Sequence, residues 1–304
     1  MLGRSLIAAA LLLAVVAAAW TLLRPERVSA SELAGMVGDS VAGEAVFNAA
    51  GCAGCHAAPG AAGEARLVLA GGHPLVSEFG TFHAPNISPD PVHGVGAWSD
   101  AELVSAIRHG TGAGGEHLYP SFPYAAYGLA ETQDVLDLVA YMRTLPASDA
   151  PSLPHEIAFP FNVRALIGGW KLLFLPDDWA VPGELPPDAA RGRYIAEALA
   201  HCGECHTPRN ALGGLRRDMW LAGAPNPSGR GRIPDIRPAS LKWSQADIAG
   251  YLATGFTPEF DTAGGSMVEV IESISQLPPE DIQAIAAYIV SVPDGPPADL
   301  APAE

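Results

Sequence analysis

All four cysteines of the 304-residue chain fall in two copies of one pentapeptide, Cys52-Ala53-Gly54-Cys55-His56 and Cys202-Gly203-Glu204-Cys205-His206. Two thiols three positions apart, followed at once by an imidazole, suit covalent capture of a haem: each thiol bonds one vinyl group and the histidine is placed on iron. The rival chemistries of Cys-x-x-Cys fit less well. A structural zinc site wants four protein ligands, and each Cys-Cys-His set supplies three. A thioredoxin-like redox pair expects a βαβ pattern, and neither copy has strand-rich flanks. The expectation is two covalently bound haem c groups, held by Cys52, Cys55, Cys202 and Cys205, with His56 and His206 as proximal iron ligands.

Elements that must position these residues are legible in the periodicity. Val46, Phe47 and Ala50 lie at helical spacing in a run from Gly43 that leads into Cys52. Residues 57–97 are rich in Gly, Pro, His and Asn and read as an irregular loop around a cofactor edge. Ser99-Asp100-Ala101-Glu102 is a capping box that opens a helix ending near Gly110. Val135, Leu138, Val139 and Met142 then mark an amphipathic helix closed by Pro146. The second half repeats the plan: a run from Gly192 to Leu199 leads into Cys202, a helix opens at Trp243-Ser244 and ends at Gly255, and a last helix carries Ile282, Ile285 and Ile289 before Pro293. Trp98 to Trp243 and Gly110 to Gly255 share an offset of 145 residues, and Tyr141 to Tyr288 and Pro146 to Pro293 share 147. A repeat of this length means two copies of one domain. The expected divisions are a membrane anchor or signal segment over 1–27, a first domain over 28–146, a linker over 147–187, a second domain over 188–293 and a disordered tail over 294–304.

The linker holds Phe159-Pro160-Phe161-Asn162 and Gly168-Gly169-Trp170-Lys171-Leu172-Leu173-Phe174. That is too apolar for a free tether. It is expected to pack across both domains and set the distance between the haems, with a partner-binding surface as the alternative.

Residues 5 to 23 carry no charge and are flanked by Arg4, Arg24 and Arg27. Nineteen such residues just span a bilayer as a helix, which favours one N-terminal transmembrane anchor with the bulk of the chain on the periplasmic side of the inner membrane. A cleaved signal peptide, cut after Ala17-Ala18-Ala19 or Val28-Ser29-Ala30, is the alternative and would leave a soluble periplasmic protein. The net charge of -16 excludes nucleic acid as a partner class.

The far-side iron ligands separate the halves. Met267 lies 24 residues after Trp243 and 12 after Gly255, just past Gly264-Gly265-Ser266, where a thioether can reach iron. The same count in the first half lands on Phe122, which cannot ligate. His117 stands 61 residues after His56, as Met267 stands 61 after His206, and His83 is a second candidate; an open site is the third possibility. Methionine on one iron alone implies haems of different potential.

The order helix, Cys-x-x-Cys-His, long loop, helix, loop, helix resembles that of a small class I cytochrome c. Phe79-Gly80-Thr81-Phe82, Pro85-Asn86-Ile87-Ser88-Pro89-Asp90, Leu118-Tyr119-Pro120-Ser121-Phe122-Pro123-Tyr124, Cys205-His206-Thr207-Pro208-Arg209-Asn210 and Gly264-Gly265-Ser266-Met267 resemble the multi-haem cytochrome c subunits of the bacterial membrane-bound alcohol dehydrogenase type. Three-haem members carry a third attachment motif and have methionine at the place of Phe122, so the likeness is to two-haem relatives. It implies a mainly α fold of two tandem class I cytochrome c domains. It also implies electron transfer between a periplasmic dehydrogenase subunit and a downstream acceptor: quinone, oxidase or another cytochrome. No phosphate loop, nucleophile elbow or further metal cluster points to other catalysis. The alternative is a haem enzyme, peroxidase-like or a sulfur-compound dehydrogenase, working at the first haem.

Overall fold

In a computed structural model the chain is described over residues 20–295 apart from 228 and 230, and at positions 7, 10, 13, 14 and 17. Helix α1 (Ser40–Ala49) starts where the Asp39 carboxylate accepts from the Val41 amide, and left-handed Gly51 turns the chain into the single turn of α2 (Cys52–His56). Helix α3 (Asp100–His109) opens on the expected capping box, with Ser99 and Glu102 each accepting from the other's amide, and stops at Gly110 in the left-handed region (φ 58°). After α4 (Tyr124–Tyr127) comes α5 (Thr132–Met142), which crosses α1 with Phe47 tilted on Tyr141 at 5.1 Å. The crossing needs Gly43, because a Cβ there would overlap the Asp137 carbonyl.

The second unit is built likewise. Helix α7 (Pro187–Arg193) continues into a π-helical turn over Tyr194–Leu199, α8 (Gly203–His206) carries the second pentapeptide, and α9 (Pro238–Leu241) precedes α10 (Gln245–Thr254). Ser244 and Asp247 form the second capping box and Gly255 (φ 79°) the second left-handed stop. Helices α11 (Met267–Ile274) and α12 (Pro279–Ser291) complete it, and Gly192 meets the Ala284 carbonyl as Gly43 meets that of Asp137. The expected mainly helical architecture of two like units is therefore present.

Two local features differ from the expectation. The segment 57–97 is not wholly irregular: β1 (Pro74–Ser77) and β2 (Gly80–His83) form a hairpin, to which the linker adds β3 (Glu156–Ile157) antiparallel to β2. Four-residue strands are too short to impose a readable alternation. A smaller antiparallel pair, β4 (Ala224–Pro225) with β5 (Arg232–Ile233), takes the equivalent stretch of the second unit. The run before Cys202, expected to repeat the helix-like run before Cys52, ends in a π turn, and Glu197 within it is buried.

The linker is ordered against both units. Its helix α6 (Leu166–Phe174) sends the Lys171 ammonium to the carbonyls of His109 and Gly110 in the first unit, while the Trp170 indole N–H donates to Leu212 O in the second at 2.9 Å. Arg164 donates to His117 O at 2.8 Å and lies over the Tyr119 ring. The span expected over residues 5–23 lies mostly outside the described residues; among the described residues no helix is long and apolar enough to cross a membrane. The tail beyond 295 lies outside them as well.

Candidate functional site

Each pentapeptide is wound as a helical turn just after a helix packed on the core, so its cysteines and histidine are carried on a rigid support. In both copies the second cysteine is exposed and the first half-buried, and none of the four is in a disulfide. Desolvation in the half-buried position pushes the Cys52 and Cys202 thiols up to about 12. A redox-active Cys-x-x-Cys needs a depressed thiol, so these pairs are unsuited to that chemistry. Nor do they build a zinc site: among the described residues no three His, Cys, Asp or Glu side chains converge.

The two histidines are held identically. His56 Nδ1 lies 2.9 Å from Pro85 O, and His206 Nδ1 lies 2.9 Å from Pro234 O. A carbonyl only accepts, so Nδ1 carries the hydrogen and the lone pair is left on Nε2, the arrangement a metal-binding imidazole requires. Burial lowers the pKa of both rings, which keeps them neutral, with the prolyl carbonyl opposing in part. The returning chain is tied in the same way at each site: Gly71 N donates to His56 O and Gly223 N to His206 O, both at 2.7 Å. Thiols, tautomer and backbone cradle thus fit a covalently attached haem at each half.

The orienting carbonyls were not among the expected site residues. The signal was present as Pro85-Asn86-Ile87 against Pro234-Asp235-Ile236, a second repeat at an offset of 149. Ile87 N donates to Leu69 O at 3.0 Å and Ile236 N to Leu221 O at 3.1 Å, so the two copies are equivalent in backbone as well as in letters.

The far-side loops share one register. Thr111 bridges His117 as Phe256 bridges Thr262, and Leu118 N donates to Gly110 O (2.7 Å) as Ala263 N donates to Gly255 O (2.8 Å). Phe122 therefore stands where Met267 stands, as counted from the sequence. Both are half-buried against the main apolar core, Phe122 with its ring 5.6 Å from Tyr127 and Met267 at the start of α11. His117 corresponds to Thr262, and its equal separation from the pentapeptide is a coincidence of loop lengths. Its Nε2 lies 2.8 Å from Leu23 O, while its Nδ1 is buried without a partner. His83 sits on β2 with Nε2 3.2 Å from a Glu156 carboxylate oxygen.

The two pentapeptides lie close together. Tyr127 donates from its hydroxyl to Ala50 O at 3.2 Å, His201 Nε2 lies 3.3 Å from the same oxygen, and the two rings meet edge to face at 5.7 Å. Across the same boundary Arg66 pairs with Glu269 at 3.0 Å and with Glu272.

Comparison with known proteins agrees with this duplication. The family model for cytochrome c matches twice, over residues 40–146 and 189–293. The chain is 56% identical over 284 residues to a diheme cytochrome c-type protein of Cereibacter sphaeroides, covering 93% of this chain and 96% of that one. It is 40% identical over 253 residues to the fructose dehydrogenase cytochrome subunit of Gluconobacter japonicus (81% of this chain, 51% of the relative) and 33% identical over 265 residues to the gluconate 2-dehydrogenase cytochrome c subunit of Pantoea cypripedii (82% and 58%). It thus spans little more than half the length of these two dehydrogenase subunits.

Proposed function

Because the chain belongs to the diheme cytochromes c and carries two covalently bound haem c groups, we propose that it is a membrane-anchored periplasmic carrier passing electrons between a dehydrogenase and the respiratory chain. The observation that carries the reading is the matched pair of half-sites, each with two thiols and a histidine whose Nδ1 is 2.9 Å from a prolyl carbonyl. Bound haem supplies a one-electron iron couple. The chain supplies the rest: Cys52, Cys55, Cys202 and Cys205 would form the thioethers, His56 and His206 would ligate iron with their tautomer already fixed, and Met267 would supply a thioether ligand to the second haem.

The closeness of the two pentapeptides, with Tyr127 and His201 between them, supports transfer within the chain. The relatives named as cytochrome subunits of dehydrogenases support a dehydrogenase as electron donor. Nineteen uncharged residues flanked by arginines support the N-terminal anchor.

The test is reduction of the full haem-loaded chain in membranes by a substrate-driven periplasmic dehydrogenase, followed by its reoxidation on adding a quinone or oxidase. The carrier reading expects the oxidised protein to ignore cyanide and the reduced protein to ignore carbon monoxide. Phe122 at the ligand position favours a second reading, catalysis at an open first haem. A high-spin component that binds cyanide, with no reduction by any dehydrogenase, would replace the carrier by the enzyme.

A further inference from the structure

Helix α6 has its polarity reversed. Lys171, its one charged residue, points into the protein: Nζ is 2.5 Å from His109 O and 2.8 Å from Gly110 O, and it lies 4.7 Å above the Tyr124 ring. Gly168 is buried against the Leu23 backbone, where a Cβ would meet the carbonyl oxygen at 2.5 Å. On the opposite side Leu166, Leu172 and Leu173 are 56, 60 and 69% exposed, and Ala165 lies exposed at the head of the helix. At 100° per residue, positions 165, 166, 169, 172 and 173 share one face, and it holds no polar side chain. A helix facing water would turn its lysine out and its leucines in.

The neighbouring chain indicates what meets this face. Residues 20–23 are the end of a helix, and Leu23 is the last residue of the uncharged stretch that begins at Ser5. Its carbonyl sits between Gly168 and His117, so the described end of a stretch long enough to span a bilayer lies directly beside α6. Arg24, exposed at the junction, is placed for lipid phosphates. An apolar helix face of this kind, next to a membrane entry point, is built to lie in the interfacial layer.

We propose that the outer face of α6, centred on Leu166, Leu172 and Leu173, rests in the headgroup layer of the bilayer and holds the haem domains at a set orientation to it. This rests on the N-terminal anchor for the geometry of approach.

The full haem-loaded chain is placed in phosphatidylcholine–phosphatidylglycerol nanodiscs containing a phosphatidylcholine with a diazirine near the carboxyl end of one acyl chain, irradiated, and mapped by mass spectrometry. Residues 165–175 are expected to be labelled at a yield comparable to 7–23, while peptides around Val92 and Phe260, which are also exposed, stay unlabelled. Leu172→Glu/Leu173→Glu is expected to lower labelling of 165–175 at least fivefold with the haem spectrum unchanged. Labelling of 165–175 without 7–23 sustains the proposal and removes the anchor. Labelling of 7–23 alone overturns the proposal, keeps the anchor and leaves α6 to a protein partner. Labelling of neither overturns both, and labelling of 165–175 that the double variant does not reduce overturns the proposal as non-specific.

Discussion

Phe122 and Met267 occupy one position in two copies of the same loop: the Phe122 amide donates to Tyr119 O at 3.1 Å and the Met267 amide to Gly264 O at 3.3 Å. The backbone that presents a thioether in one half presents a benzyl group in the other. Since methionine raises an iron potential, the two haems are expected to titrate as two separate waves. Met267→Ala should abolish the weak sulfur-to-iron absorption at the red end of the spectrum and bring the waves together. Phe122→Met should about double that absorption per chain. A single wave in the unaltered protein, or a band that survives Met267→Ala, counts against this assignment.

The glycine at each helix crossing is a matter of space. A Cβ at Gly43 or Gly192 would overlap the carbonyls of Asp137 and Ala284, so Gly43→Ala and Gly192→Ala are each expected to destabilise the haem-loaded chain by about 1–3 kcal/mol in denaturant unfolding. Gly250, inside α10 with nothing within 4 Å of its would-be Cβ, is the control. Gly250→Ala should stabilise by roughly 0.5–1 kcal/mol.

Glu197 is a buried carboxyl that accepts from the amides of Ala180 (2.5 Å) and Val181 (3.3 Å) and from the Tyr288 hydroxyl. Burial raises its pKa above the ordinary 4.5, outweighing the hydrogen bonds and Arg217. The folded chain then holds this proton where the unfolded chain has lost it. Stability from this group is complete below the ordinary carboxylate value and falls as pH rises towards the raised one, with a limiting slope of about 1.4 kcal/mol per pH unit. Unfolding followed across that window should show the decline, and Glu197→Gln should flatten it.

Arg66 joins the units by its pairs with Glu269 and Glu272, its own side chain 14% exposed and theirs about half. Screening by water limits such a pair, so Arg66→Ala should cost no more than about 1 kcal/mol at low salt. The difference from the unaltered chain should vanish near 1 M salt, where charges are screened within about 3 Å. A loss that persists at high salt would mean that Arg66 acts by packing.

Local chemistry was legible in the residues alone. A Cys-x-x-Cys-His pentapeptide, a capping box and a left-handed glycine each act within a few positions, so Cys52–His56, Ser99 with Glu102, and Gly110 announce themselves without knowledge of the fold. The duplication was legible for the same reason, since equal offsets need only counting, and counting placed Phe122 opposite Met267. What tertiary structure decided is long-range pairing. The carbonyls of Pro85 and Pro234, 29 and 28 residues beyond the histidines they orient, are marked in the sequence only by a repeated Pro-x-Ile that does not say what it serves, because a backbone acceptor has no residue type. The same holds for the turning of Lys171 inward and Leu172 and Leu173 outward, which depends on carbonyls of α3 and Gly110 that only the folded chain brings to α6. It holds too for His117, which spacing matched to Met267 and whose bridge to Thr111 makes it the counterpart of Thr262.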